Sequence, residues 1–170
     1  MMISKLMIQN YAMLTLSPAL VLEEVNNQLC KNNKEEMFVT AWLGILELST
    51  GKLTASNAGH EYPALMKNGV FSLFKDKHGF VVGGMEGVRY KEYEFTVEKG
   101  GALFLYTDGV AEAVNENDEM FGLDRMIDTL NSDEKGDPVS LLGSMHRSLD
   151  SFVGGADQFD DITMLALVHK

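Results

Sequence analysis

The sequence has a single cysteine, and no apolar run in it approaches the ~20 residues that a membrane-spanning helix needs. A lone Cys30 excludes an internal disulfide and suits a reducing compartment. Lying in a helical stretch, it reads as a small buried hydrophobe rather than a nucleophile. The Met-rich start, Met1 to Leu16, is interrupted by Gln9 and Asn10, and no small-residue cleavage site follows. It reads as an amphipathic helix rather than a signal peptide. Basic residues are scarce as well. Lys and Arg number 14 against 25 Asp and Glu, a formal net charge of −11, which argues against nucleic acid and anionic membrane as partners. These absences together describe a cytoplasmic protein. The 170 residues favour one domain over two, and 45% hydrophobic residues are enough for a globular core.

The pattern begins with two helices. Met2, Leu6 and Met13 recur at helical spacing, and Ser17-Pro18 is an N-cap followed by proline at the first helical position. In that second helix Leu22, Val25 and Leu29 form a core-facing stripe. Glu23 and Glu24 lie early in it and Lys31 and Lys34 late, the sense that complements the helix dipole. Strands follow. Phe38–Leu48 and Leu53–Ala58 flank the turn Ser49-Thr50-Gly51-Lys52. Ala64–Lys67 and Val70–Phe74 flank Asn68-Gly69, a strong hairpin signal. Val81-Val82 is a short apolar segment. Tyr93, Phe95 and Val97 alternate with polar residues, as in a half-exposed strand. Leu103–Thr107 reads as a strand buried on both faces. Leu123–Leu130 and Pro138 to about Phe152 are two more helices, and Ile162–Val168 is the last strand. Trp42 and the many methionines read most simply as core. Two helices, a run of antiparallel strands, two helices and one strand can be satisfied by two sheets, each covered by a helix pair.

The buried strand stops on Asp108-Gly109, and Asp160-Asp161 opens the last strand. If these strands are adjacent and antiparallel, Asp108 and Asp160 share one edge of the sheet. Two carboxylates about 4 Å apart repel by roughly 4 kcal/mol at an effective dielectric of 20. An ordinary hydrogen bond recovers only about 1 kcal/mol net. Such a pair wants a proton or a cation, and a divalent metal is the expectation.

Four motifs, in this order and spacing, resemble one family: Asn57-Ala58-Gly59-His60 with Pro63; Leu105-Tyr106-Thr107-Asp108-Gly109-Val110-Ala111-Glu112-Ala113; Phe121-Gly122; and Asp160-Asp161-Ile162-Thr163. It is the protein phosphatase 2C (PPM) family, in the bacterial branch of the sporulation stage II E phosphatase and the sigma-factor-regulating serine phosphatases. The resemblance implies an α+β fold, an α-β-β-α four-layer sandwich of antiparallel sheets. It also implies a pair of Mn²⁺ or Mg²⁺ ions, and a metal-activated water that attacks phosphoserine or phosphothreonine on a protein. Asp108 and Asp160 fall on metal-binding aspartates of the family and are the expected catalytic and metal residues. Gly109, Asn57, His60 and Asp161 are candidates for lining or supporting the cleft. His60 is read as shaping its loop rather than as a general acid, and Asp161 as a neighbour.

By the same resemblance, the family's opening Gly-Asp strand and the Gly-Lys-Gly segment have no counterpart before Met37. Residues 1–170 are therefore expected to be the C-terminal portion of an N-terminally truncated phosphatase domain, with a sheet edge open to homo-oligomer formation. The implied substrate is a phosphorylated regulatory protein such as an anti-sigma factor antagonist. The missing motif keeps a second reading open: a non-catalytic, phosphatase-like interaction module.

Overall fold

The computed structural model describes residues 2–31, 33, 37–158 and 160–170. In chain order its elements are α1 (Met2–Ala12), α2 (Pro18–Lys31), β1 (Ala41–Leu46), β2 (Lys52–Ala58), β3 (Ala64–Lys67), β4 (Val70–Leu73), β5 (Glu92–Thr96), β6 (Ala102–Tyr106), α3 (Asp108–Ala111), α4 (Gly122–Asn131), α5 (Pro138–Val153) and β7 (Met164–Val168). They fall into two compact units. One comprises Met1–His60 with Asp76–Thr96, the other Glu61–Lys75 with Val97–Lys170.

The first unit holds α1, α2 and a three-stranded antiparallel sheet in the order β1-β2-β5. Ser17 caps α2 as its sequence predicts, its Oγ accepting from the Leu20 N–H at 3.1 Å. Val21, Leu22 and Val25 are fully buried and pack with Ala58, Val82 and Tyr90, while Met7, Ile8 and Tyr11 of α1 add partly buried surface. Each such aliphatic side chain contributes about 1.5–3 kcal/mol of burial.

Several readings change here. Glu23 is not a solvated dipole partner. It is buried, its carboxylate pairs with Arg89 and accepts from the Tyr90 N–H at 3.2 Å, and it anchors α2 to the segment before β5. Cys30 is half-buried rather than buried, and its thiol donates to Asn26 Oδ1 at 3.8 Å. Trp42 is half-buried on β1 and donates its indole N–H to Tyr93 Oη at 2.6 Å. Of the methionines, Met126 and Met145 are core, whereas Met13, Met37, Met85 and Met120 are exposed. The strand expected from Phe38 begins only at Ala41, and Phe38 itself is exposed. Lys34 lies outside the described residues.

The second unit holds a four-stranded antiparallel sheet in the order β4-β3-β6-β7 together with α3, α4 and α5. The β3–β4 hairpin turns on Asn68 and Gly69, with φ of 52° and 78°, the left-handed pair that Asn-Gly favours. Asp137 caps α5, accepting from the Val139 and Ser140 N–H groups, with Pro138 next in the first turn. Ala102, Phe104 and Tyr106 of β6 share a face and pack with Phe121, Met126, Leu130, Leu141 and Met145 of the helical layer. Arg125 lies over the Phe152 ring, 4.8 Å from its centroid, and donates to the Met120 and Phe121 carbonyls, which ties α4 to α5. Thus β6 is the buried strand that its composition predicts, and its C-terminal end is held rigidly by this core.

The fold is α+β, with two antiparallel sheets and, among the described residues, five helices.

Candidate metal and phosphate site

The site residues in the second unit are assembled by one pairing. Strands β6 and β7 run antiparallel with Tyr106 opposite Met164. One step beyond, the Thr107 N–H donates to the Thr163 carbonyl at 3.0 Å. The Thr107 hydroxyl then works in both directions. It accepts from the Thr163 N–H and donates to the Asp161 carbonyl, each at 3.0 Å. This clasp extends the register past both strands and brings Asp108-Gly109 against Asp160-Asp161. The approach is close: a Cβ on Gly109 would stand 2.7 Å from the Asp161 carbonyl oxygen, so a side chain there would force the two segments apart.

Asp108 is the first residue of the short helix α3, for which Thr107 is the N-cap. It is exposed, and its Oδ1 accepts from the Gly109 N–H at 3.0 Å. Asp160 is exposed too, with Oδ1 accepting from the Asp161 N–H at 2.7 Å. Each carboxylate is therefore oriented by a backbone bond to its own neighbour and keeps acceptor capacity toward solvent. Asp161 is held by its backbone and its side chain is exposed. Below the junction, burial pushes the Tyr106 phenol well above its ordinary value, with Glu61 adding to the shift.

Asn57 and His60 belong to the first unit, where they build a turn. Asn57 Oδ1 accepts from the His60 N–H at 2.8 Å, and Asn57 Nδ2 donates to the His60 carbonyl at 3.0 Å. Asn57 Nδ2 also donates to Asp76, a carboxylate that accepts from Tyr93 Oη as well and pairs with His78 at 3.3 Å. Asn57 is the second-last residue of β2, and these bonds tie the loop after it to the strand.

Beside the junction lies an open pocket of about 490 Å³, lined by Gly109 of α3 and Glu112 at its C-cap, by His146, Leu149 and Asp150 of α5, and by Asp157, Asp160 and Ile162 from the segment leading into β7. The sequence reading missed Thr107, Glu112 and Asp157. A register argument carried one residue past Tyr106 would have found Thr107. Glu112 lies within the Thr107-Asp108-Gly109 motif without being singled out, and Asp157 carries no local signal, because only the docking of α5 brings the two to one pocket.

The donor set suits a hard divalent ion, since Asp108 and Asp160 offer anionic oxygens, and Mg²⁺ uses one or two carboxylates with waters. Among the described residues no group of three or more His, Cys, Asp or Glu is placed to ligate a metal.

The profile of the Stage II sporulation protein E (SpoIIE) family matches residues 1–170. The chain belongs to this family of PP2C-type serine phosphatase domains. Members of the SpoIIE family are metal-dependent serine phosphatases that use Mn²⁺ or Mg²⁺. Over 136 residues the chain is 34% identical to Protein IcfG of Synechocystis sp., covering 79% of this chain and 21% of that one. Over 103 residues it is 30% identical to Phosphoserine phosphatase RsbU of Bacillus subtilis, covering 59% and 30%. The chain thus aligns with less than a third of either relative's length. Among solved structures, the SiaA-PP2C domain of Pseudomonas aeruginosa superposes with a TM-score of 0.81 at 20% identity, covering 99% of this chain and 68% of that one. The PP2C phosphatase domain of SpoIIE from Bacillus subtilis, with a fragment of its regulatory domain, gives 0.80 at 12% identity, covering 96% and 47%. At these identities the two superpositions establish the fold. No helix among the described residues is long and apolar enough to cross a membrane.

Proposed function

We propose that this chain is the C-terminal portion of a cytoplasmic, metal-dependent protein serine/threonine phosphatase, and that Asp108 and Asp160 hold its Mn²⁺ or Mg²⁺. The observation that carries the reading is the Thr107 clasp, which sets two exposed, backbone-oriented carboxylates on adjacent chain segments. A divalent ion held there supplies hydroxide near neutral pH and offsets the charge of phosphate oxygens. The chain's own contribution is positional. Thr107 and Gly109 keep the two segments in contact, and the buried end of β6 keeps Asp108 from swinging away. The reading includes the family's four-layer sandwich, and a Gly-Asp carboxylate contributed by sequence outside residues 1–170.

The substrate class follows the family resemblance: a phosphoserine or phosphothreonine on a small regulatory protein, such as an anti-sigma factor antagonist in sigma-factor control. The test is hydrolysis of a generic phosphomonoester by the purified chain, with Mn²⁺ and with chelator. Metal-dependent turnover that disappears in Asp108→Asn supports the proposal. If the chain is silent but gains activity when extended upstream, it is an incomplete phosphatase. Silence from both forms leaves the non-catalytic interaction module.

A further inference from the structure

Resting on the phosphatase reading, we propose that the pocket beside Asp160 is a docking subsite for a lysine or arginine side chain of the substrate polypeptide, close in sequence to its phosphorylated residue. The pocket has two chemically distinct parts. Leu149, Val153 and Ile162 supply apolar lining, and Glu112, Asp157 and Asp160 supply acidic lining. Among the described lining residues only His146 can carry positive charge, and its Nε2 already lies 3.5 Å from Asp150 Oδ2. With Asp160 assigned to the metal, Glu112 and Asp157 still leave the lining anionic, and no Lys or Arg stands among its described residues.

A bare metal ion fits this lining poorly. No three of the described acidic or histidine side chains converge on a ligating position, and an ion gains nothing from aliphatic lining. A long cationic side chain uses both kinds of lining, its methylene stem against the aliphatic residues and its charged head toward the acidic ones. The volume of about 490 Å³ lies within the roughly 300–1,000 Å³ range of ligand pockets.

Position gives the subsite its role. Gly109 and Asp160 line the pocket and also form the junction that orients Asp108. An extended peptide advances about 3.3–3.6 Å per residue. A chain with its phosphoryl group at Asp108 and Asp160 therefore brings a residue one or a few positions away over the pocket. Basic flanking residues would be selected, and acidic ones repelled.

The test reads binding, so it does not depend on turnover. A short fluorescein-labelled, unphosphorylated peptide with a central arginine is compared with its arginine-to-alanine partner by anisotropy against the full chain, in chelator. The expected result is about tenfold tighter binding of the arginine peptide. That preference should collapse toward one in Glu112→Gln/Asp157→Asn and persist in Glu98→Gln/Glu134→Gln, which removes the same charge outside the pocket. Equal affinities for the two peptides on the unmodified chain would overturn the proposal without any variant. Equal loss in both double variants would overturn it as well, by assigning the preference to net charge. Failure of the phosphomonoester assay would instead count against the phosphatase reading, because the peptide comparison uses neither metal nor hydrolysis.

Discussion

The two units each contain a group of polar side chains, and they treat it oppositely. In the first unit Asp76 has a fully buried side chain, and Tyr93, Asn57 and His78 all bond to it, while Trp42 donates to the same tyrosine hydroxyl. Glu23 is likewise buried and committed to Arg89 and the Tyr90 backbone. In the second unit Asp108 and Asp160 are exposed and each is oriented by a local backbone bond. The contrast separates two uses of a carboxylate. A buried one whose lone pairs are spent on protein donors holds structure together. An exposed one, fixed in direction but with acceptor capacity left over, is suited to an exchangeable ligand.

Substituting one aspartate from each group should break this contrast most visibly. Asp108→Asn should lower metal-dependent hydrolysis by at least about 100-fold while shifting unfolding free energy by no more than about 0.5 kcal/mol. With Asp160→Asn added, specific Mn²⁺ binding should vanish in calorimetry. Unchanged affinity would remove both residues from the site. Asp76→Ala should do the reverse. It removes the buried acceptor of the Tyr93 hydroxyl and of one Asn57 amide hydrogen, so denaturant unfolding should show a loss of about 3 kcal/mol, with any activity following the folded fraction.

Two glycines sharpen the same distinction at smaller scale. Gly109→Ala places a methyl against the Asp161 carbonyl and should cost about 2 kcal/mol, together with metal affinity, because it pries the junction open. Gly69→Ala meets no atom within 4 Å and strains only a left-handed turn, so it should cost about 1 kcal/mol and leave metal affinity unchanged. An equal effect of both on metal binding would show that the close approach at Gly109 is incidental.

The smallest effect is in alkali. In the first unit, burial, with the Cys30 and Glu23 charges adding to it, pushes the Tyr90 phenol from 10.0 up to about 12. A raised folded value means that the unfolded chain loses this proton first. The stability contributed by Tyr90 is thus present below pH 10 and is lost as pH rises toward about 12. Tyr93 and Tyr106 shift in the same direction through burial. Stability measured from pH 9 upward should therefore decline, and Tyr90→Phe should flatten the first part of the decline.

Much of the chain was readable from local chemistry. The Ser17-Pro18 cap, the Asn68-Gly69 turn, the doubly buried β6 and the extent of α5 all depend on residues a few positions apart, so propensity and patterning carry them. The antiparallel pairing of β6 with β7 was also legible, since two apolar strands bounded by aspartates have few ways to pair. Readings that needed distant partners failed. Glu23 looked like a dipole partner because its helix position is near, whereas the Arg89 that holds it is 66 residues away. The exposed methionines were misread because hydrophobic character alone does not say which face is covered.

By itself, then, the sequence determined the helices, the strands, the tight turns and the aspartates that end or begin a strand, because those follow from backbone sterics and hydrophobic period. The tertiary structure alone decided which polar groups are spent and which stay available. It divided the strands between two sheets, buried Glu23 and Asp76, tied Thr107 to Asp161 and gathered Glu112 and Asp157 beside Asp160. Desolvation and register act between segments far apart in the chain, and they are settled only when those segments pack.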